Sequence, residues 1–157
     1  MSDVRLDKLA DILVNYSAQV KAGDFVYIEC SEAALPWMKA VAREAVKAGG
    51  HVEYHLTSAD VEETLIKYAS EEQLKEERFM KKNVLERADV WLSAWGGRNT
   101  RTLSNIPGDK LKANVQGASS WRKVPIIEKI RARDSHLRAI SCRFFNKCFF
   151  FFLKNLF

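Results

Sequence analysis

Apolar positions in the first 95 residues alternate between a helical and a strand-like spacing. Two stripes in which apolar residues recur three and four positions apart predict amphipathic helices. Between them, the β-branched and aromatic run Phe25 to Cys30 predicts a buried strand. The second stripe stops at Gly49 and Gly50, a pair typical of helix ends. The two stripes consist of Leu6, Leu9, Ala10, Leu13 and Val14, and of Met38, Val41, Ala42, Ala45 and Val46.

Two further strands are predicted, at His51 to Thr57 and at Val90 to Trp95. Strands that alternate with helices of ten or more residues require crossover connections, and these join parallel strands. Parallel sheets are covered by helices on both faces. The pattern therefore predicts an α/β fold with an open parallel sheet in three α/β/α layers, similar to a Rossmann fold. A helical C-terminal extension is predicted from Asp109 to about Asp134.

Capping signals predict two helices between the second and third strands. Asp60 with Glu63, and Ser70 with Gln73, both have the spacing of a capping box. The second of these helices is expected to run without interruption to about Arg87. The predicted buried face of the first consists of Val61, Thr64, Leu65, Tyr68 and Ala69.

The composition excludes several classes of protein. With 157 residues, 47% hydrophobic and 29% charged, the chain can form one self-sufficient core, which excludes a disordered tail. Its 7 glycines and 3 cysteines exclude a collagen-like repeat and a disulfide scaffold. No signal peptide opens the sequence, so a cytoplasmic location with reduced thiols is expected.

Most of the basic excess lies in the last 22 residues. The net charge is +5, yet residues 1–135 hold 21 of the 25 basic residues and all 20 acidic ones. A nearly neutral core argues against a nucleic-acid partner. The last 22 residues also hold seven of the nine phenylalanines. The apolar run there, Cys148 to Leu153, is much shorter than the ~20 residues that cross a bilayer, so no membrane span is expected.

Ligands of open parallel sheets bind at the carboxyl ends of the strands, so the loops that follow the three predicted strands are candidate binding sites. These loops are Ser31 to Leu35, Ser58 to Asp60 and Gly96 to Asn105. In the third loop, two glycines permit close backbone approach, and donors for a carboxylate or phosphate come from Arg98, Asn99, Thr100 and Arg101. The alternative is that this loop only connects two elements and that its arginines contact water. Neither a GxGxxG motif nor a P-loop is present, which disfavours a nucleotide site.

The second strand carries a possible metal-binding pattern. His51, Glu53 and His55 alternate on one face, where two imidazoles and a carboxylate can share Zn²⁺. The favoured alternative is a strand that starts or borders the sheet, with Val52, Tyr54 and Leu56 inward, because no fourth ligand is evident.

Three other residues could take part in catalysis or binding but are interpreted as structural. Cys30 ends a strand without a nearby cysteine, which favours a small buried thiol over a nucleophile. Trp91 and Trp95 share one face of the third predicted strand and are expected to pack rather than to stack on bases.

Five segments of the chain share a recognisable order and spacing. They are the Leu-x-x-Leu-Ala-x-x-Leu-Val run from Leu6, Val20-Lys-Ala-Gly-Asp-Phe-Val-Tyr-Ile, Ala42-Arg-Glu-Ala-Val-Lys-Ala-Gly-Gly-His-Val, Ala88-Asp-Val-Trp-Leu, and Asn99-Thr-Arg-Thr-Leu-Ser-Asn-Ile-Pro-Gly-Asp-Lys. Together they resemble the amino-terminal domain of the thermophilic-type metallo-aminopeptidases, the aminopeptidase T and aminopeptidase S family. The similarity covers about residues 4–135.

The resemblance implies an exopeptidase with two divalent metals, zinc, cobalt or manganese, whose bridging water attacks the peptide carbonyl. In that family the metal ligands, the catalytic tyrosine and the catalytic histidine belong to a carboxyl-terminal domain, and none of those positions exists in this chain. No catalytic, cofactor-binding or metal residue is therefore expected here, and the chain is expected to be inactive alone. Peptide substrate and a homodimer are expected only of the full-length form.

The resemblance also suggests a division of the chain. Residues 1–112 are predicted to form the α/β domain, 113–135 a helical connector toward a missing catalytic domain, and 136–157 an aberrant tail. Beyond Ser135 the sequence turns to Phe, Leu, Lys and Asn, which AT-rich DNA encodes outside its reading frame. We hypothesise a frameshift, a misassigned intron or an early stop there; the alternative is a membrane-touching segment. A different function also stays open, a non-catalytic module that binds a small anion or a partner chain through Gly96 to Arg101.

Overall fold

The computed structural model describes residues 3–96 and 103–119, together with the backbone of residues 138–145 and 148–152. These residues form a sheet of five strands in the order β2-β1-β3-β4-β5. All neighbouring strands are parallel except β4 and β5, which are antiparallel. The strands are β1 (Phe25–Ser31), β2 (His51–Thr57), β3 (Val90–Gly96), β4 (Arg138–Phe145) and β5 (Cys148–Phe152).

Six α-helices connect and flank these strands within the described residues. They are α1 (Val4–Asp11), α2 (Leu35–Lys47), α3 (Ala59–Tyr68), α4 (Glu71–Lys75), α5 (Phe79–Arg87) and α6 (Gly108–Gly117). A π-helical segment, Ile12–Ser17, continues α1, and a 3₁₀ turn, Glu32–Ala34, precedes α2. Shortly after α2, Gly49 takes φ of +86°, a left-handed conformation that suits glycine and ends the helix.

The main core lies on the face of the sheet that α1 and α2 cover. Because successive side chains of a strand point to opposite faces, alternate residues of β1 and β3 meet the two helices there. This core includes both predicted helical stripes, apart from the exposed Val46. Its strand residues are Val26, Ile28, Cys30, Val90, Leu92 and Ala94.

The opposite face of the sheet is covered by α5. A smaller cluster forms there around Tyr27 of β1 and Leu85 of α5, with Trp91 of β3 packed against it. Helices therefore cover both faces of the parallel strands β1 and β3. The predicted three-layer α/β/α architecture is confirmed.

Helices α3, α4 and α6 form a third cluster of their own, built on Ile66, Leu74, Ile106 and Ala113. The predicted buried face of α3 is wrong, because Val61, Leu65 and Tyr68 are 57%, 61% and 76% exposed and α3 buries Ile66 instead. Helix α3 packs mainly against α6, where Ile66 and, of the predicted face, Ala69 lie, so the buried stripe is on a different side of the helix.

The capping predictions are confirmed in one case of two. Ser70 and Gln73 form the predicted capping box at the start of α4. Helix α3 begins instead after Ser58, with no side-chain cap, so the box predicted at Asp60 is wrong. The single helix predicted from Ser70 to Arg87 is also wrong: Glu76 has the extended ψ of 142°, which separates α4 from α5.

Strand β2 borders the sheet, as one of the two sequence interpretations predicts. Val52 is half-buried and packs against the core, but Tyr54 and Leu56 are 69% and 42% exposed. The prediction that both point inward to the core is wrong, because helical cover does not extend over this part of the edge strand.

Of the helical extension predicted from Asp109 to about Asp134, the structure describes α6, which ends at Gly117, and residues 120–137 lie outside the described residues. Residue 112, the predicted boundary between the α/β domain and the helical connector, lies inside α6. The domain boundaries stay predictions. Within the described residues, none of the helices has the length and apolar character needed to cross a membrane.

Candidate functional site

The carboxyl ends of β1, β2 and β3 meet at one edge of the sheet, as the sequence predicts. The Ser31 hydroxyl donates to the carbonyl of Gly96 at 2.6 Å and accepts from the Gly96 N–H at 2.9 Å. On the other side of β1, the Thr57 hydroxyl donates to the carbonyl of Cys30 at 3.1 Å. These side chains tie the strand ends together, so the loops that follow start from fixed positions.

The donors predicted for an anion, Arg98, Asn99 and Arg101, lie outside the described residues. The structure describes Gly96, where that loop starts, and resumes at Leu103. The loop therefore stays a predicted candidate site.

A buried ion pair lies just below the carboxyl edge, between β1 and α5. Lys81 Nζ donates to both carboxylate oxygens of Glu29, at 2.8 and 2.9 Å. The Glu29 side chain is 2% exposed and that of Lys81 18%. The Lys81 ammonium also lies 5.7 Å from the centre of the Trp91 ring, within range of a cation–π contact. Among the ion pairs of the described residues, this one has the least exposed carboxylate.

Sequence reasoning missed this pair, although a signal was present. Glu29 is the charged residue in the otherwise apolar run Phe25 to Cys30. A charge in a strand buried on both faces requires a partner of opposite sign. The sequence does not reveal which lysine or arginine supplies it.

The buried carboxylate affects two neighbouring groups on β1. Burial, and secondly the negative charge of Glu29, raise the pKa of the Tyr27 hydroxyl far above its usual 10.0. The same two causes raise the pKa of the Cys30 thiol to about 11. Both groups stay protonated at neutral pH, so neither is an activated nucleophile.

We expect the Cys30 thiol to resist alkylation in the folded chain. In a Cys142→Ser/Cys148→Ser background, labelling by iodoacetamide at pH 8 is expected to be about 100-fold slower in buffer than in denaturant. The raised pKa lowers the fraction of thiolate, and burial keeps the reagent from the sulfur atom. Equal labelling rates in the two conditions, followed by mass spectrometry, would contradict the buried-thiol interpretation.

The pKa of the Cys30 thiol is higher in the folded chain than in the unfolded chain. Folding stability is therefore expected to fall as pH rises from about 9, the usual thiol value, toward 11.

A shallow groove of about 470 Å³ lies between α1 and the first turns of α2. Asp7, Lys39 and Arg43 are among the charged residues that line it. Arg43 is paired with Asp7 and with Glu44, so its guanidinium is already engaged by carboxylates. We therefore do not interpret this groove as an anion-binding site.

The sequence profile of the thermophilic metalloprotease family, M29, matches residues 2–136. The chain belongs to the M29 family. The resemblance to the aminopeptidase T and S family noted from the sequence is thereby confirmed, since these enzymes are M29 metalloproteases. No curated protein sequence matches the chain significantly.

Among solved structures, wild-type AmpT from Thermus thermophilus has the same fold as this M29 chain. The TM-score is 0.71 at 14% sequence identity, over 90% of this chain. The match covers 36% of the AmpT chain. This M29 chain therefore spans about a third of the length of AmpT. At 14% sequence identity, the comparison shows a shared fold.

M29 proteins are metalloproteases, so the donor side chains of this chain can be compared with the needs of a metal ion. Within residues 3–96 and 103–119, no three His, Cys, Asp or Glu side chains are grouped closely enough to hold one. His51, Glu53 and His55 share a face of β2 but are exposed and do not converge. The part of the M29 chain that the structure describes does not fit a metal centre.

Proposed function

We propose that this chain supplies the amino-terminal α/β domain of a metal-dependent aminopeptidase and does not release amino-terminal residues by itself. The observation that carries the proposal is the family match over residues 2–136 in a chain whose described residues hold no metal-binding cluster. The 36% coverage of AmpT supports it, since most of that protein has no counterpart here.

Under this proposal the chemistry of hydrolysis belongs to another part of the enzyme. Two divalent ions, zinc, cobalt or manganese, would be held by ligands of a carboxyl-terminal domain, where they would polarise the peptide carbonyl and activate water. The residues of this chain provide a rigid sheet instead. The hydrogen bonds between Ser31 and Gly96 join the carboxyl ends of β1 and β3.

The proposal predicts no metal-dependent peptidase activity for the purified 157-residue chain. The chain is incubated separately with Zn²⁺, Co²⁺ and Mn²⁺, and release of leucine from leucyl-aminomethylcoumarin and from a short peptide is followed by fluorescence and mass spectrometry. We expect rates equal to those of metal alone. An M29 metalloprotease of full family length is the positive control. Release that follows the chain through purification and disappears with a chelator would overturn the proposal.

The size of the protein in its source cells provides a second readout of the same proposal. An antibody raised against residues 4–135 is expected to detect a band well above the 18.0 kDa of this chain. A band at 18.0 kDa alone would favour the alternative, a non-catalytic module that binds an anion or partner through Gly96 to Arg101.

A further inference from the structure

Helix α3 has two apolar stripes, and one of them is exposed. The first holds Ile66 and Ala69 and packs against α6. The second, here called the outer row, consists of Val61, Leu65 and Tyr68, which are 57%, 61% and 76% exposed. Residues four and three positions apart lie on one side of a helix, so these side chains are neighbours. Single exposed apolar residues are common, but a row of them on one helix indicates a contact surface.

Acidic residues are concentrated around the outer row. Residues 59–77 hold seven of the 20 acidic residues and two of the 25 basic ones, although the whole chain has a net charge of +5. In α3 itself, Asp60 and Glu62 flank Val61, the first member of the row. Adjacent residues are about 100° apart around a helix axis, so the two carboxylates lie on opposite sides of the row. The start of the outer row therefore has an acidic border.

The cations of this region do not neutralise that border. In the part of the chain that the structure describes, neither Asp60 nor Glu62 forms an ion pair. Of the two lysines in residues 59–77, Lys75 is paired within α4. The other, Lys67, lies 5.6 Å from the centre of the Tyr68 ring, at the far end of the row. The outer row thus has two unpaired carboxylates at its start and an ammonium group at its end.

The sign of this charge limits the class of occupant. Carboxylates repel nucleic acids and the anionic surfaces of membranes. A neutral or acidic helix would cover the apolar side chains but leave both carboxylates without a partner. A helix that combines an apolar stripe with flanking lysine or arginine residues matches the apolar row and its border together.

We propose that the outer row of α3 binds a basic amphipathic helix of another protein. The steps of four and three residues between Val61, Leu65 and Tyr68 are those of a coiled-coil seam, so the partner's apolar stripe packs along them. The partner's cations lie beside Asp60 and Glu62. The 10 residues of α3 span about 15 Å, so the partner contributes about three turns. This inference does not rest on the proposed function.

The first test is binding of a synthetic peptide to the 157-residue chain, followed by fluorescence anisotropy. The probe is an amphipathic helix of about 15 residues, with leucines three and four positions apart and lysines on both flanks. The control peptide has glutamate in place of each lysine. We expect a dissociation constant of about 10–100 μM for the basic probe, and binding of the acidic control at least about tenfold weaker.

Two valines of similar exposure provide a matched pair of variants. Val61 in α3 is 57% exposed and Val46 in α2 is 60% exposed, so neither substitution removes a buried side chain. Val61→Ser is expected to weaken binding of the basic probe about fivefold, and Val61→Ser/Leu65→Ser at least about tenfold. Val46→Ser is expected to leave binding unchanged. Far-UV circular dichroism verifies that each variant is folded.

A charge reversal tests the acidic border separately from the apolar row. Glu62→Lys is expected to weaken binding of the basic probe about tenfold and to strengthen binding of the acidic control. Glu86→Lys makes the same change in net charge on α5, a helix that packs on the sheet, and is expected to change neither affinity more than about twofold. A reversed preference between the two peptides is a result that loss of folding does not produce.

Several outcomes would overturn the proposal. The first is an unmodified chain that does not bind the basic probe, or binds both peptides equally. The second is binding that Val61→Ser/Leu65→Ser and Glu62→Lys leave intact, which would place the contact on a different surface. Sedimentation equilibrium supplies a third: self-association of the chain that Leu65→Ser abolishes would assign the row to a second copy.

A longer form of the protein from its source cells provides a further control. The proposal expects such a form to bind the basic probe as tightly as the 157-residue chain does. A longer form that fails to bind it would show that the rest of that protein covers the outer row, and the proposal would then be wrong. None of these measurements depends on peptidase activity, so this inference and the proposed function can fail separately.

Discussion

Replacing Lys81 with methionine is expected to destabilise the domain by about 3–5 kcal/mol at neutral pH. The reason is that the Glu29 carboxylate, whose side chain is 2% exposed, would lose the partner that contacts both of its oxygens. The measurement is urea unfolding followed by tryptophan fluorescence. A loss of this size is a large share of the ~5–15 kcal/mol typical of a whole domain.

A double variant separates the lost partner from the lost packing. Glu29→Gln/Lys81→Met removes both charges with little change in volume, and we expect it to recover most of the stability that Lys81→Met loses. Both variants carry the same methionine at residue 81, so loss of the cation–π contact with Trp91 is common to them and cancels in the comparison. A loss below about 1 kcal/mol for Lys81→Met would indicate that water reaches Glu29, and the description of a buried pair would then be wrong.

Replacing Trp37 with alanine is expected to cost about 3–5 kcal/mol. Trp37 lies in α2, is 1% exposed, and is among the largest fully buried side chains described. It packs in the main core together with residues of α1, β1 and β3, so its removal leaves a cavity that the sheet and two helices cannot collapse to fill. Thermal unfolding should show a midpoint lower by roughly 10 °C.

Trp37→Phe is the matched control for this cavity. Within the described residues, the Trp37 indole N–H has no hydrogen-bond partner, so phenylalanine removes an unsatisfied donor while retaining an aromatic ring. We expect a loss below about 1.5 kcal/mol, because part of the lost packing is offset by relief of the buried polar group. Equal losses for phenylalanine and alanine would show that the cost does not arise from cavity volume.

Elements whose pattern is local were predicted well from the sequence. The run Phe25 to Cys30 forms the internal strand β1, and the capping box of Ser70 and Gln73 starts α4 as predicted. Both signals depend on residues within one helical turn or one strand of each other. The order and spacing of the family segments also identified the M29 membership that the family profile confirms.

The candidate site was predicted less completely. The meeting of three strand ends at one edge followed from the parallel topology, and Ser31, Thr57 and Gly96 now define that edge. The identity of the residues beneath it did not follow. The loop donors Arg98, Asn99 and Arg101 stay a prediction, since they lie outside the described residues.

The sequence alone was sufficient to predict the strands β1, β2 and β3, their parallel arrangement, the helices α1 and α2, and the family. Periodicity and capping act between near neighbours, so they can be identified without knowledge of the fold. Only the tertiary structure decided that Glu29 is paired with Lys81, 52 residues away, that α3 buries Ile66, and that the edge strand leaves Tyr54 exposed. Each of these depends on which element lies opposite a given face, and that is set by the packing of the whole chain.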